Sequence, residues 1–255
     1  MPRRVAAALA LVLALVLAGC GGGSSPESAT QAPTTSDAQA APDAAPATTP
    51  TTAYPTFTVA GATVPTVEVF DEPGQDLPAH RLENPDSFYG VERVFLVQEN
   101  RGDWLKVLLP MRPNESAGWI RAADVELAQH EYRIVIDVPA RRLVAYQGTD
   151  VLVDAPVAVG SPSTPTPGGR FYTTQTIQVL PDQRAAYGPY ALGLSAYSEV
   201  LFEFGGGDGQ VGIHGTADTA SIGQNVSNGC IRLPNEEITK LAETLPLGVP
   251  VEIKV

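Results

Sequence analysis

The sequence predicts a mainly β protein with two folded parts behind a long unstructured lead. Short apolar runs recur from about position 57 to the C-terminus, each closed by Gly, Pro, Asn or Asp, which is the pattern of strands and tight turns. Helical spacing is clear at one place only, where Ile238, Leu241, Ala242 and Leu245 repeat at i, i+3, i+4 and i+7. Residues 21–56 are mostly Gly, Ser, Thr, Ala, Pro and Asp without a Lys or Arg, too poor in apolar side chains to form a core.

The elements follow in chain order. Arg3 and Arg4 precede an apolar run, Val5 to Ala18, that is short for a membrane-spanning helix of roughly 20 residues and reads as a secretory signal. It ends in Leu17-Ala18-Gly19-Cys20, which resembles a bacterial lipobox. The resemblance implies that residues 1–19 are a lipoprotein signal peptide and that Cys20 is acylated as the mature N-terminus. Ordinary cleavage nearby, or an uncleaved short anchor, is the alternative. The expected location is the outer face of the bacterial cytoplasmic membrane, held by lipid and facing the wall. Residues 20–56 then form a tether spanning roughly 30–36 Å root-mean-square if flexible. The net charge of −12 drops by two when Arg3 and Arg4 are removed, and no basic run exists, which argues against nucleic-acid partners.

In the first folded part, residues 57–128, Val67–Phe70, Arg93–Val97, Trp104–Leu109 and Gly118–Ile120 alternate with turn signals, a pattern of a small all-β barrel. Asp103–Val107 and Gly118–Ile120 resemble bacterial SH3-like domains. Both tryptophans of the chain lie here, as core residues or as the wall of a ligand groove. In the second part, residues 131–255, Tyr132–Val138 and Arg142–Tyr146 form a hairpin around Pro139-Ala140. Further strands are predicted at Val151–Val159, Phe171–Val179, Val200–Phe204 and Val249–Val255. Asn235 is the expected N-cap of the one clear helix, with Glu236 and Glu237 at the positive end of its dipole and Pro246 and Gly248 ending it. Gly205–Gly209 lacks the residues of a phosphate loop and reads as a turn or mobile flap.

The chemistry centres on Ile213-His214-Gly215-Thr216 and Ser227-Asn228-Gly229-Cys230-Ile231-Arg232-Leu233. With Cys20 lipidated, Cys230 is the one free thiol of an exported protein, either reactive or a small buried apolar residue. A histidine 16 positions upstream supports the reactive reading, because imidazole can take the thiol proton near neutral pH. His80 and His130, the latter between the two parts, have no motif and suit exposed or capping roles. Backbone N–H groups of Gly229, Cys230 and Asn228 are candidate oxyanion donors. Arg232 shares a side with Cys230 in an extended segment and either holds a substrate carboxylate or makes a structural salt bridge.

Residues 131–255 resemble the L,D-transpeptidase catalytic domain of bacterial cell-wall enzymes. The resemblance runs from Gly160 and Thr166-Pro167-Gly168-Gly169-Arg170-Phe171 through the two motifs above. It implies a β-sandwich-like fold with one or two short helices, Cys230 as nucleophile, His214 as general base and acid, and no metal or organic cofactor. It implies substrate contacts at Gly215, Thr216 and Arg232, peptidoglycan stem peptides as substrate, and a 3→3 cross-link formed through a thioester. Many members carry a second histidine where this chain has Asn228, so Asn228 contributes hydrogen bonds and cannot act as a base. Ser227 either fixes the loop or the imidazole, or is a plain turn serine. The rival readings are an L,D-carboxypeptidase, a non-catalytic wall-binding lipoprotein and a zinc peptidase; the last lacks enough nitrogen and sulfur ligands. Oligomeric state is not legible from the sequence.

Overall fold

The computed structural model describes residues 55–204 and 206–255. The expected signal peptide, Cys20 and the tether up to residue 54 lie outside them. The N-terminal part contains β1 (Phe57–Ala62), β2 (Thr66–Val69), β3 (His80–Glu83), β4 (Val94–Asn100), β5 (Trp104–Leu108), β6 (Ala117–Arg121) and β7 (Val125–His130). The C-terminal part contains β8 (Tyr132–Asp137), β9 (Arg142–Gln147), β10 (Asp150–Pro156), β11 (Val159–Gly160), β12 (Gly169–Gln178), α1 (Arg184–Tyr187), β13 (Tyr190–Tyr197), β14 (Gln210–His214), β15 (Asn225–Ser227), β16 (Ile231–Arg232), α2 (Asn235–Thr244) and β17 (Pro250–Lys254).

The expectation of a mainly β protein with few short helices holds. The N-terminal strands form a five-stranded sheet in the order β6-β5-β4-β1-β7, beside the hairpin β2-β3. Phe70 and Trp119 exchange backbone hydrogen bonds of 2.8 Å and link that hairpin to β6. Val67, Val69, Phe95, Leu105, Val107 and Ile120 are almost fully buried and make this part's own apolar core. Trp119 is buried too, with the Arg101 guanidinium 4.3 Å from its ring centre; the edge of Trp104 packs on Phe70 at 5.2 Å. Their roles are packing roles. His130 is not in a linker: it ends β7 opposite Phe57, and its Nδ1 accepts from the Tyr132 N–H at 3.2 Å, a local cap.

The C-terminal sheet has eight strands in the order β10-β9-β8-β17-β12-β13-β14-β16. Alternation explains it. Ile134 and Ile136 of β8, Leu143 and Ala145 of β9, and Val251 and Ile253 of β17 point to one face and are buried there. The apolar stripe of α2, Ile238, Leu241 and Leu245, covers the same core. Its N-cap is Pro234 rather than the expected Asn235. The Asn235 side chain is used elsewhere: its Oδ1 accepts the Thr216 N–H at 2.8 Å. The expected strand Val151–Val159 divides into β10 and β11. The expected strand Val200–Phe204 is a loop. Ser198 Oγ accepts N–H bonds from Val200 and Leu201 at 3.4 and 3.0 Å, so a side-chain turn takes the place of a ladder.

The described residues fall within one compact unit, and polar contacts join the part that carries its five-stranded sheet to the part that carries its eight-stranded sheet. Asn114 pairs with Tyr197 as a strand would, donating Nδ2–H to its carbonyl at 2.8 Å and accepting its N–H at 2.9 Å. The Tyr197 hydroxyl donates to the Pro110 carbonyl at 2.9 Å. Arg112 donates to the carbonyls of Ser198, Leu201 and Asp208 at 2.8–3.0 Å. Asn114→Ala removes two partly buried hydrogen bonds and leaves both Tyr197 backbone groups unpaired. We expect a loss of about 2 kcal/mol in unfolding free energy, measured by urea denaturation.

Candidate active site

The site is built on the end of the C-terminal sheet. β14 and β16 pair in parallel, with Ile213 opposite Ile231 and His214 opposite Arg232. Ile213 and Ile231 are fully buried in the core, so their neighbours in the pleat face the other way. His214, Arg232 and Cys230 therefore share one face. One step back in this register sets Gly212 beside Cys230, and its backbone N–H reaches the sulfur. Diagonal neighbours on adjacent strands lie roughly 7–8 Å apart at Cα, within reach of long side chains. A Cβ on Gly212 would lie 3.0 Å from the Leu192 carbonyl oxygen of β13, which leaves little room for a side chain there. No hydrogen bond joins Cys230 Sγ to His214 directly in the resting site.

Each side chain is held. His214 is 5% exposed, and its ring meets the Tyr187 ring edge-on at 5.0 Å. Its Nδ1 lies 2.6 Å from the Gly215 carbonyl oxygen. A carbonyl only accepts, so Nδ1 carries the proton and Nε2 keeps a bare lone pair. Neither the Gly215 carbonyl nor Asn235 was singled out as an orienting group in the sequence. A side chain at Gly215 would collide with Asn235 Oδ1, which explains the bare residue there. Thr216 is almost fully buried; its N–H goes to Asn235 and its hydroxyl accepts from the Asp218 N–H at 3.1 Å, so both groups are engaged internally.

The cysteine loop is closed by its own polar groups. Ser227 Oγ donates to the Cys230 carbonyl at 2.5 Å and accepts the Gly229 N–H at 3.1 Å. Ser227 thus fixes the loop, with no bond to the imidazole. The Gly229 N–H is occupied by that bond, whereas the Asn228 and Cys230 N–H groups have no protein partner among the described residues. The Asn228 side chain is exposed and makes no hydrogen bond there either. Gly229 has φ +110°, a conformation that glycine adopts freely. Thr166 Oγ1 ties the loop to the preceding one, donating to the Gly229 carbonyl at 2.9 Å and accepting the Gly160 N–H at 2.8 Å.

Burial governs the electrostatics. It pulls His214 down to about 4 against the Gly215 carbonyl, which favours the cation; the nearby Arg232 charge adds to the fall. Burial pushes the Cys230 thiol up, opposed by the Gly212 N–H and by Arg232. At neutral pH the resting site is therefore a neutral thiol beside a neutral imidazole. Arg232 has no carboxylate partner among the described residues, and its buried Nε lacks a hydrogen bond. A structural salt bridge, one of its two expected roles, is not formed there.

Residues 131–253 match the family model of the L,D-transpeptidase catalytic domain YkuD. That segment is similar to bacterial YkuD-type L,D-transpeptidase catalytic domains. Two curated relatives, the YkuD proteins of Bacillus subtilis (strain 168) and Bacillus licheniformis, both named as L,D-transpeptidases, are each 34% identical over 122 residues, 48% of this chain. The chain spans 65% of the length of each. YqjB of Bacillus subtilis, also named as an L,D-transpeptidase, is 49% identical over 53 residues, covering 20% of this chain and 30% of its own.

Two outcomes follow from the buried imidazole and the half-buried thiol. Between pH 6.5 and 4 the unfolded chain binds a proton at His214 that the folded chain refuses. Stability therefore falls as pH drops through that window and levels below it. His214 accounts for a loss of about 3 kcal/mol. Urea melts of wild type and His214→Gln across this range are expected to differ by that slope. The raised thiol predicts that Cys230 alkylation by iodoacetamide, followed by mass spectrometry, still accelerates above pH 9.

Proposed function

We propose that this protein is a cell-wall L,D-transpeptidase, with Cys230 as nucleophile and His214 as general base and acid. The observation that carries the reading is the common face of His214, Cys230 and Arg232 set by the β14–β16 register. The thiol gives its proton to His214 Nε2 as sulfur attacks the carbonyl of the third residue of a tetrapeptide stem. The N–H of Cys230 is the nearest candidate donor to the resulting oxyanion. The C–N bond to the terminal D-alanine breaks, the imidazolium protonates the leaving amine, and a thioester remains. An amine of a second stem then attacks. The C–S bond breaks, a C–N bond forms, and the 3→3 cross-link is released with the thiol restored. Water in place of the amine makes the same site an L,D-carboxypeptidase.

The unpaired Arg232 guanidinium suits a substrate carboxylate, which would also complete the hydrogen bonding of its buried Nε. Ser227 serves by holding the loop, and Asn228, Gly215 and Thr216 by shaping its rim. The remaining parts of the proposal come from the sequence. Residues 1–19 are a lipoprotein signal and Cys20 the lipid anchor. Residues 20–56 are a tether, 57–128 an SH3-like domain, and 131–255 the catalytic domain of an exported enzyme facing peptidoglycan.

The decisive assay incubates the protein with a disaccharide-tetrapeptide and reads products by mass spectrometry. Dimer with released D-alanine is expected from wild type, and none from Cys230→Ala. Tripeptide alone would assign the carboxypeptidase, and turnover equal to Cys230→Ala would leave a scaffold. Arg232→Gln is expected to raise the KM for the stem peptide roughly ten- to a hundred-fold, the worth of a charge-assisted hydrogen bond.

A further inference from the structure

The peptide group between Gly215 and Thr216 is used at both ends. Its carbonyl oxygen lies 2.6 Å from His214 Nδ1. Its N–H donates to Asn235 Oδ1 at 2.8 Å. A peptide group is planar and stiff, so fixing the N–H also fixes the direction of the carbonyl. Asn235 thus acts on the imidazole through one intervening peptide. The flanking N–H groups go to main-chain acceptors, Gly215 to the Tyr190 carbonyl at 3.3 Å and Ala217 to the Ala185 carbonyl at 3.1 Å. Between them, the N–H behind the His214 acceptor is held by a side chain.

The surroundings are shaped to admit that side chain. Asn235 is the first residue of α2, five positions after Cys230, and Pro234 at φ −54° and ψ 144° turns the chain from β16 into the helix. A Cβ at Gly188 or at Gly215 would collide with Asn235 Oδ1. Two positions on different segments are therefore bare around one oxygen atom. Gly188 also has φ +66°, which glycine adopts without strain. Thr216 is 2% exposed, so its N–H has little access to water and depends on Asn235 for a partner.

We infer that Asn235 is a positioning residue for the His214 base: it holds and polarises the Gly215 carbonyl, which keeps the proton on Nδ1 and leaves Nε2 bare to take the thiol proton. The inference rests on the acyl-transfer reading above. It adds a third member to the Cys230–His214 pair, supplied by the segment that carries the nucleophile. Hydrogen bonds in a chain strengthen one another, by roughly 10–30% per bond. An N–H drawn towards Oδ1 makes its own carbonyl a better acceptor, and a better acceptor at Nδ1 makes Nε2 a better base. Hydrolase triads give this task to a carboxylate in direct contact with the ring. Here the third group is neutral and one peptide removed, so it orients the ring without a charge that would favour imidazolium at rest. Arg232 of β16 is the charge that acts on His214; the Tyr187 phenol of α1 and the Cys230 thiol are the titratable groups beside it, and α2 brings the neutral Asn235 and Ile238 to Gly215.

The test measures kcat and KM of the full chain on the disaccharide-tetrapeptide as a function of pH. Asn235→Ala is expected to lower kcat about ten-fold, with KM within about two-fold of wild type. Asn235→Asp keeps an acceptor oxygen in the same place and suits the positive end of the helix dipole. It is expected to recover kcat to within about three-fold and to move the acid limb of kcat/KM up by about one pH unit, because its charge favours imidazolium. A merely structural role would lower the urea midpoint of Asn235→Ala and leave its kcat and the acid limb of Asn235→Asp unmoved; that result overturns the proposal. A loss in Asn235→Ala that Asn235→Asp fails to recover overturns it too. Should Asn235→Ala not fold, the acid limb of Asn235→Asp decides alone. Nitrogen NMR of the His214 ring needs no turnover. A single tautomer protonated at Nδ1 is expected in wild type and in Asn235→Asp, and a mixture in Asn235→Ala. Absence of product from wild type would therefore remove the acyl-transfer reading, whereas an unchanged tautomer in Asn235→Ala would remove this inference.

Discussion

Parallel pairing of β14 with β16 is the constraint on which the site depends. Both strands are short, and β16 has only two residues, so the pairing needs other supports. The Leu233 N–H donates to the His214 carbonyl at 2.8 Å, and Arg232 exchanges backbone hydrogen bonds of 2.9 Å with Ala158. Ile213, Ile231 and Leu233 anchor the far face in the apolar core. A slip of one residue would turn Cys230 into that core and bring Ile231 to the open face. The small groups around the loop, Ser227, Thr166 and Gly229, make sense as devices that forbid this slip, since each closes a hydrogen bond or a turn that only one register allows.

The same packing sets the protonation states. A buried imidazole with one nitrogen committed to a carbonyl is a neutral acceptor, and a half-buried thiol on the same face keeps its proton. Separating charge between them costs energy in the resting site; in the proposed reaction a substrate carbonyl would offset that cost by bringing an oxyanion and its donors into play. Arg232 contributes field more than contact here: its charge disfavours imidazolium and favours thiolate. This division of labour keeps the sulfur protonated at rest.

Much of the site was legible in the sequence, because its essential elements are local: glycines flanking His214 and Cys230, the following Arg232, and the helix that comes next. The strand that carries His214 was not. β14 is short and holds a glycine at its centre, which weakens its strand signal, and β13 is buried from Leu192 to Tyr197 on both faces, so it shows no apolar–polar alternation. The opposite error occurred at Val200–Phe204, where an apolar run of strand-like composition faces water because Ser198 and Arg112 capture its backbone. Asn235 reads as an N-cap from local composition, yet it is the first helical residue and a partner 19 positions earlier claims its side chain. Long-range hydrogen bonds of this kind leave no trace in local composition.

The bonds made by Arg112 and Asn114 bear on how such a chain can change over time. Both residues satisfy main-chain groups of the C-terminal part: carbonyls of Ser198, Leu201 and Asp208 in the loop after β13, and the backbone N–H and carbonyl of Tyr197 at its end. Exchanging the first sheet for an unrelated module would leave those groups bare unless the newcomer happened to offer the same donors at the same spots. The two halves are therefore bound to a shared history, and recombination at their junction should be far less tolerated than the short connection between β7 and β8 would suggest.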